Sequence, residues 1–445
     1  FVEKANLGIS SHEAYQILFK NQEIGFAIHK INKTDKGFLL SQNVNLSLKV
    51  MGKNTNLFLI AKTKTDKASK LRSFRLEIKT SDTNFNVLGT LIDEKKLEIL
   101  IQSSAGVNKQ FLDLKAPPVL DMSLKSIMSQ ALTKNKTKAK FTIFNPQTLK
   151  NEPILAEFKG KKKLNWHGEE VDSFYFEVKD LKKKGLPFIY KYWLDENGIS
   201  YREETPLGVT LIKAKDLKSV ALGKASNSEF LDLVKVKPKG EAHLLAGKNF
   251  IYDIKSKGLK DVGAKSDNLI IDPFAKAIIE NNLDPKLIAP EPLIQSDHPI
   301  IKRKAQTITR GAKTISQRAT KIIDFVFDSL AKTPSIGLPN ALEVLQNRKG
   351  DCNEHAVLAT ALMRASMIPA RIVVGLVLQK DSFYYHAWVE FLSEKKEWIS
   401  ADPAFNQVPA DHLHIPISKG GFMVQSDIQY ILSDLEITIK PKKEL

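Results

Sequence analysis

The sequence predicts an α+β protein: an amino-terminal antiparallel β-sheet domain, followed by a domain in which helices pack on a second antiparallel sheet. Three observations carry this. Apolar residues alternate with period two from Tyr15 to about Ala214, the period lengthens to three and four after His298-Pro299, and a β-branched run returns beyond Pro369. At 445 residues, 42% hydrophobic and 26% charged, the chain is long enough for two or three domains with separate cores, and its composition excludes a disordered or fibrous protein.

Residues 1–224 form the predicted β domain. Its clearest strands are Phe74-Leu76-Ile78, Leu97-Ile99-Ile101, Phe174-Phe176-Val178 and Phe188-Tyr190-Tyr192-Leu194, each with one apolar face. Turn chemistry separates the strands at Asn21–Gly25, Lys33–Gly37, Gly52–Asn56 and Asp195–Gly198, so the region reads as one curved antiparallel sheet. Leu120, Met122, Leu124, Ile127, Met128 and Leu132 keep helical spacing and predict a helix covering one face. Residues 225–295, punctuated by five prolines from Pro238 to Pro292, read as a connecting or small β segment. The third region, 296–445, opens on Ala305, Ile308, Ala312, Ile315, Ala319, Ile322, Val326 and Leu330, an amphipathic helical stretch broken near Gly311 and ending near Pro334. Asn340 then caps a shorter helix through Leu345.

The formal charge of +17 favours anionic surfaces, but the lysines are scattered, in short runs such as Lys161–Lys163 and Lys182–Lys184, without the aromatic interleaving of a nucleic-acid site. A solvated lysine-rich surface is the expectation, and no nucleic-acid partner. A single cysteine excludes an intrachain disulfide and a multi-thiolate zinc site, and neither metal nor cofactor is expected. No apolar stretch reaches the roughly 18–20 residues of a membrane helix. The chain begins at Phe1 without an initiator methionine, which suggests removal of an export signal and a periplasmic location, or else a trimmed terminus.

The chemistry gathers around that cysteine. Gly350-Asp351-Cys352-Asn353-Glu354-His355-Ala356 precedes Val357, Leu358, Ala361, Leu362 and Ala365, so Cys352 opens a helix. A helix start favours thiolate, the nucleophilic form, and its free amides suit a developing oxyanion. Gly350 would allow close approach of a substrate. Ala370–Leu378 reads as a strand, Tyr384–Phe391 as a second carrying His386, and Glu397–Ala401 as a third leading into Asp402-Pro403. Three such strands packed on the cysteine helix would bring Cys352, His386 and Asp402 together, although periodicity alone does not demand it.

The segments G-D-C-N-E-H-A, R-A-S-M-I-P-A-R-I-V-V-G, Y-H-A-W-V-E-F and W-I-S-A-D-P-A-F, in this order, resemble the core of the transglutaminase-like superfamily over roughly residues 296–410. The resemblance implies a papain-like fold and mechanism. Cys352 would attack an amide or ester carbonyl, His386 would serve as base and then acid, and Asp402 would orient the imidazole. No tryptophan lies between Trp193 and Trp388, where animal crosslinking members place one for the oxyanion. Gln346 stands at a spacing similar to the oxyanion glutamine of papain-like proteases and is the candidate donor. No acidic loop of EF-hand type occurs. The β domain is similar, through its hairpins and its Trp-Leu-Asp-Glu-Asn-Gly turn, to modules of exported bacterial lipoprotein carriers.

Bland roles compete at each position. Cys352 could be a small buried hydrophobe, and Asp402 an ordinary turn residue before proline. His355 is expected as a neutral helix-face histidine. Tyr385 and Trp388 are expected on the strand face opposite His386, in core packing, with cleft lining as the alternative. Glu390, on the face of His386, is a cleft candidate together with Gly350 and Asp351. His412 and His414 are expected at the surface. Two functions follow. One is a cysteine amide hydrolase or acyltransferase acting on peptide or isopeptide bonds, cell-wall peptide among them; the other is a vestigial scaffold whose β domain does the binding.

Overall fold

The computed structural model describes residues 11–442 apart from 51–52, 68, 81–83, 104–105, 115–118, 120, 133–136, 146–149, 182–188, 207, 221–233, 257–258, 260–264, 276–277, 279, 334–338 and 422–433. Leu120, Phe188, the Lys182–Lys184 run, Gly52 and Pro334, all used in the sequence reading, lie outside the described residues. The chain divides into two compact units, Phe1–Leu233 and Val234–Leu445. The division falls nine residues beyond the expected 224/225 boundary. The stretch expected to be a connector belongs largely to the second unit.

The first unit is a single antiparallel sheet. Its first eight strands are β1 (Ser11–Phe19), β2 (Gln22–Thr34), β3 (Gly37–Val50), β4 (Lys53–Asp66), β5 (Leu71–Lys79), β6 (Asn84–Asp93), β7 (Lys96–Ser103) and β8 (Gly106–Asp113). After helix α1 (Asp121–Leu132) follow β9 (Lys138–Asn145), β10 (Lys150–Trp166), β11 (Glu169–Asp180), β12 (Ile189–Leu194), β13 (Ser200–Glu204) and β14 (Val209–Lys213). The chain meanders from β1 out to the edge strand β8, crosses through α1 to the opposite edge β9, and meanders back until β14 pairs with β1. Alternation explains the burial: Phe74, Leu76 and Ile78 of β5 and Leu97, Ile99 and Ile101 of β7 all turn inward. Leu124, Ile127 and Met128 of α1 pack on Ile154, Phe176, Val178, Tyr192 and Leu194, the cover expected from its spacing. The helix is also held by polar contacts. Lys125 Nζ lies 2.5 Å from Glu203 Oε1, a buried pair, and the Ser129 hydroxyl donates to the Glu196 carbonyl at 2.9 Å. In the β12–β13 turn, Asp195 Oδ1 accepts the amides of Asn197 and Ile199, and Gly198 takes φ +82°.

In the second unit, β15 (Lys239–Gly240), β16 (Phe250–Lys255) and β17 (Asn268–Ile271) share a four-stranded sheet with the last strand of the chain, so the proline-punctuated stretch is part of this core. The helical stretch divides, as its glycine suggested, into α2 (Pro299–Thr309) and α3 (Ile315–Ser329), with Gly311 at φ +77° and Thr314 capping α3. Then come β18 (Ala331–Lys332), α4 (Ala341–Asn347) capped by Asn340, β19 (Lys349–Gly350) and α5 (Cys352–Ala365). The strands β20 (Ala370–Gln379), β21 (Ser382–Leu392), β22 (Trp398–Ala401) and β23 (His414–Gly420) form a sheet in the order β22-β21-β20-β23, and β24 (Glu436–Pro441) joins the other one. The two sheets share a core in which Phe250, Tyr252 and Ile254 meet Leu376, Phe383, Ile415 and Ile417.

One glycine sets the spacing of the β20–β23 pair. Gly375 lies opposite His386 across β20–β21, at a register shift against β23. A Cβ there would lie 2.0 Å from the Ile415 carbonyl oxygen and 2.9 Å from the Trp388 ring. Because a backbone atom cannot swing aside, Gly375→Ala is expected to destabilise the second unit by about 1–3 kcal/mol, the usual cost of overpacking. Denaturant unfolding checks this; an unchanged midpoint would show that β23 gives way freely.

Candidate active site

Cys352 is the first residue of α5, and the residues around it explain why the helix begins there. Asp351 Oδ1 accepts the Asn353 amide at 2.9 Å while Glu354 Oε2 accepts the Asp351 amide at 2.9 Å, a reciprocal capping box. Gly350 is required by the same motif: it takes φ +155°, and a Cβ would stand 2.3 Å from Glu354 Cβ. Its missing side chain thus makes room for Glu354. Asp351 is likewise occupied in capping. Upstream, β18 pairs in parallel with β19 and ties Gly350 to Thr333, whose amide donates to the Gly350 carbonyl at 3.1 Å.

The half-buried Cys352 thiol lies within the influence of the backbone amide of Ala387, the residue after His386 on β21, and Tyr385 of the same strand bonds Asn353 beside it. Helix and strand therefore meet at the thiol. Burial pushes the thiol well above its ordinary range, the carboxylates of Asp351, Glu354 and Asp402 push the same way, and the Ala387 amide pulls it down. A helix start was expected to lower it; desolvation and three nearby acids outweigh that effect.

His386 is buried, and its Nε2 lies 2.7 Å from Asp402 Oδ2. Phe405 stacks on its ring at 4.9 Å between centroids, so the imidazole is held on its flat side and at one edge, and Nδ1 is the nitrogen not engaged by Asp402. Asp402 follows β22 directly and has no solvent exposure. Its Oδ1 accepts the Ala404 and Phe405 amides at 2.7 and 3.2 Å. Burial alone would raise its carboxyl, and the two histidines on Oδ2 more than reverse this, holding it far below the carboxylate range.

The second of those histidines is His414, and its position corrects the sequence reading. Expected at the surface without an acidic partner, it is 6% exposed, with Nε2 3.0 Å from Asp402 Oδ2 and Nδ1 2.8 Å from Asp411 Oδ1. The readable signal was Asp411, three residues earlier, at the start of an alternating apolar strand. Burial lowers the His414 pKa, but the two carboxylates dominate and carry it to about 9, while Asp411 falls to about 2. His386 Nε2, Asp402 Oδ2 and His414 Nε2 lie within 4.8 Å of one another, close enough for a cation to bridge, and both contacts to Oδ2 have the length of ordinary hydrogen bonds. His412 is half-buried, against the Leu245 carbonyl and the rings of Phe250 and Phe274.

The other candidates divide. Trp388, two residues from His386, shares its strand face rather than the opposite one: the rings lie 6.0 Å apart at 22°, and the indole donates to Ser400 Oγ at 2.8 Å. Tyr385 donates to Asn353 Oδ1 at 2.7 Å and so bridges β21 to the start of α5 beside Cys352. The Glu390 carboxylate is held across the sheet by Arg371 Nη2 and Lys419 Nζ, both at 2.7 Å. Gln346 is exposed on the last turn of α4. His355 is fully buried on α5, with Nδ1 2.6 Å from the Asp351 carbonyl and burial holding its pKa down, in keeping with a neutral helix histidine.

With this geometry in view, the comparisons identify the domain. Residues 302–403 match the transglutaminase-like superfamily, and the second unit carries a transglutaminase-like domain. An 89-residue stretch is 32% identical to a protein-glutamine gamma-glutamyltransferase of Pseudomonas aeruginosa, covering 18% of this chain and 13% of that protein. The chain thus spans well under two thirds of that relative. Among solved structures, a proposed cysteine protease from Cytophaga hutchinsonii is similar at 17% identity, over 44% of this chain and 64% of that one, with a TM-score of 0.29. A β-barrel-like protein of a domain of unknown function from Brucella abortus is similar at 12% identity, over 47% of this chain and 97% of that one, with a TM-score of 0.37.

The site makes stability depend on pH. His414 at about 9 stands above its ordinary 6.5, so its stabilising contribution is complete below about pH 6.5 and is lost as pH rises through 9. Asp402 and Asp411 are held below the ordinary value of 3.8, so theirs is present above about pH 4 and is lost on acidification. Calorimetry is expected to show an unfolding midpoint that falls between pH 6.5 and 9 and again below about pH 4. A midpoint flat across the upper window would contradict the doubly paired His414.

Proposed function

We propose that the transglutaminase-like domain is a cysteine-dependent amide hydrolase or acyltransferase. The observation that carries this is a helix-opening thiol whose helix start is bonded to the strand carrying His386, an imidazole whose far nitrogen is held by a buried carboxylate. In the proposed reaction the Cys352 proton passes to Nδ1 of His386 and the thiolate attacks the carbonyl carbon of an amide. The resulting oxyanion meets the start of α5, where the Cys352 amide has no intrahelical acceptor. His386 then protonates the leaving amine, and water or an amine takes the acyl group from sulfur.

The substrate we favour is a peptide or isopeptide bond, with hydrolysis ahead of crosslinking. The gamma-glutamyltransferase relative allows an amine in place of water as the acceptor. A cell-wall peptide and an exported location belong to the same proposal. The formal charge of +17 suits an anionic polymer, and no helix among the described residues is long and apolar enough to cross a membrane.

Carboxylates oppose an isolated thiolate here, so reactivity must come from proton transfer to His386. Iodoacetamide is therefore expected to label Cys352 well below the free-thiol pKa of about 8.5, and His386→Ala to move labelling above that value. Cys352→Ala is expected to abolish turnover of peptide substrates, a loss of at least about a thousandfold, while far-ultraviolet circular dichroism stays unchanged. Labelling that follows an ordinary thiol titration in both proteins would favour the vestigial scaffold and direct attention to what the β unit binds.

A further inference from the structure

The hydrogen-bonded chain that begins at His386 continues past Asp402. His414 opens β23, and each of its ring nitrogens meets a carboxylate, Asp402 at 3.0 Å and Asp411 at 2.8 Å. A ring nitrogen facing an ionised carboxylate must carry a proton for the contact to attract, so two such contacts define an imidazolium. Asp411 is itself anchored: its Oδ2 accepts the Gln407 side-chain amide at 2.9 Å and its Oδ1 the Leu413 backbone amide at 3.0 Å. The titratable groups facing His414 come from three further directions. These are Asp402 after β22, His386 on β21 with ring centroids 5.7 Å apart, and, through Asp411, Tyr252 of β16, whose phenol donates to the His412 carbonyl and feels the Asp411 charge. Trp388 and Phe405 present ring edges at 5.2 and 6.1 Å and keep the pair dry.

On the reading that Cys352 and His386 form a nucleophile–base pair, we infer that His414 is a positioning residue for that reaction: it shares Asp402 Oδ2 with His386, fixes the carboxylate and offsets part of its charge. A buried carboxylate with no second cation would hold the His386 imidazolium tightly and make it a poor acid toward a leaving amine. With a second proton donor on the same oxygen, Asp402 still orients the ring but binds its proton less firmly. Asp411 completes the arrangement by keeping His414 charged and in place.

Iodoacetate, an anion drawn to a thiolate beside an imidazolium, gives a bell-shaped alkylation profile whose upper limb reports loss of the His386 proton. The single cysteine makes the readout clean in the full chain. Removing a cation about 6 Å away is expected to move that limb upward by about one pH unit in His414→Gln, and by less, in the same direction, in Asp411→Asn. Reactivity below the ordinary thiol range survives in both. An upper limb superimposable on the parent's, with only a lower unfolding midpoint, would make His414 structural and overturn the inference. If His414→Gln does not fold, Asp411→Asn decides by the same criterion, a moved limb supporting the inference and an unmoved one sinking it. His386→Ala separates the two levels: if the profile is unchanged there, the nucleophile–base reading itself fails, and the inference with it.

Discussion

The Asp402 carboxylate is the constraint on which the second unit's architecture depends. An ionised carboxylate without solvent exposure is tolerated only when every oxygen is paired, and here Oδ1 accepts two backbone amides while Oδ2 faces two imidazoles. Satisfying it needs elements from separate parts of the chain to arrive together. The turn after β22 supplies the amides, β21 brings His386, and β23 brings His414, although β23 lies on the far side of β20 in the sheet. Gly375 on β20 lets the β23 backbone and the Trp388 ring come close enough for that. The sheet order brings both imidazoles to the charge in the middle.

A second tension lies at the thiol. The capping box that starts α5 places two carboxylates beside Cys352, and Asp402 adds a third, so the features that define the helix start also oppose the charge that nucleophilic attack requires. The Ala387 amide offsets this in part. What remains must come from His386, which makes thiol and imidazole a coupled pair rather than an independently activated cysteine.

Much of this was legible in the sequence. Period-two runs in the first unit and three-and-four spacing around Gly311 marked strands and helices because burial is one-sided in both. Asn340 marked a helix start because its side chain has a local job that any fold would use, and the same capping job at Asp351 went unread. What escaped depends on contacts distant in sequence or on reading one pleat wrongly. Trp388 shares the His386 face by simple alternation, and Glu390 does too, yet its charge is consumed by Arg371 and Lys419 from neighbouring strands that no local pattern announces. The pairing of β16 with β24 joins residues some 190 positions apart, and so the proline-rich stretch looked like a connector.

His414 shows where local reading stops most clearly. Its partner Asp411 stands in plain sequence view, but the contact that gives it meaning is with Asp402, across a loop whose path is set by an Asp402–Gln407 backbone bridge and by Asp411 receiving the Gln407 amide. That loop has an apolar member as well, since Phe405 stacks on His386 while the backbone amide of Phe405 helps to hold Asp402. One short segment, residues 402–414, therefore supplies the orienting carboxylate, the ring that flattens the base and the second imidazole. A substitution in it reaches His386 through geometry, as at Phe405, or through charge, as at His414 and Asp411, and this is why the segment's chemistry reads as a unit rather than as separate residues.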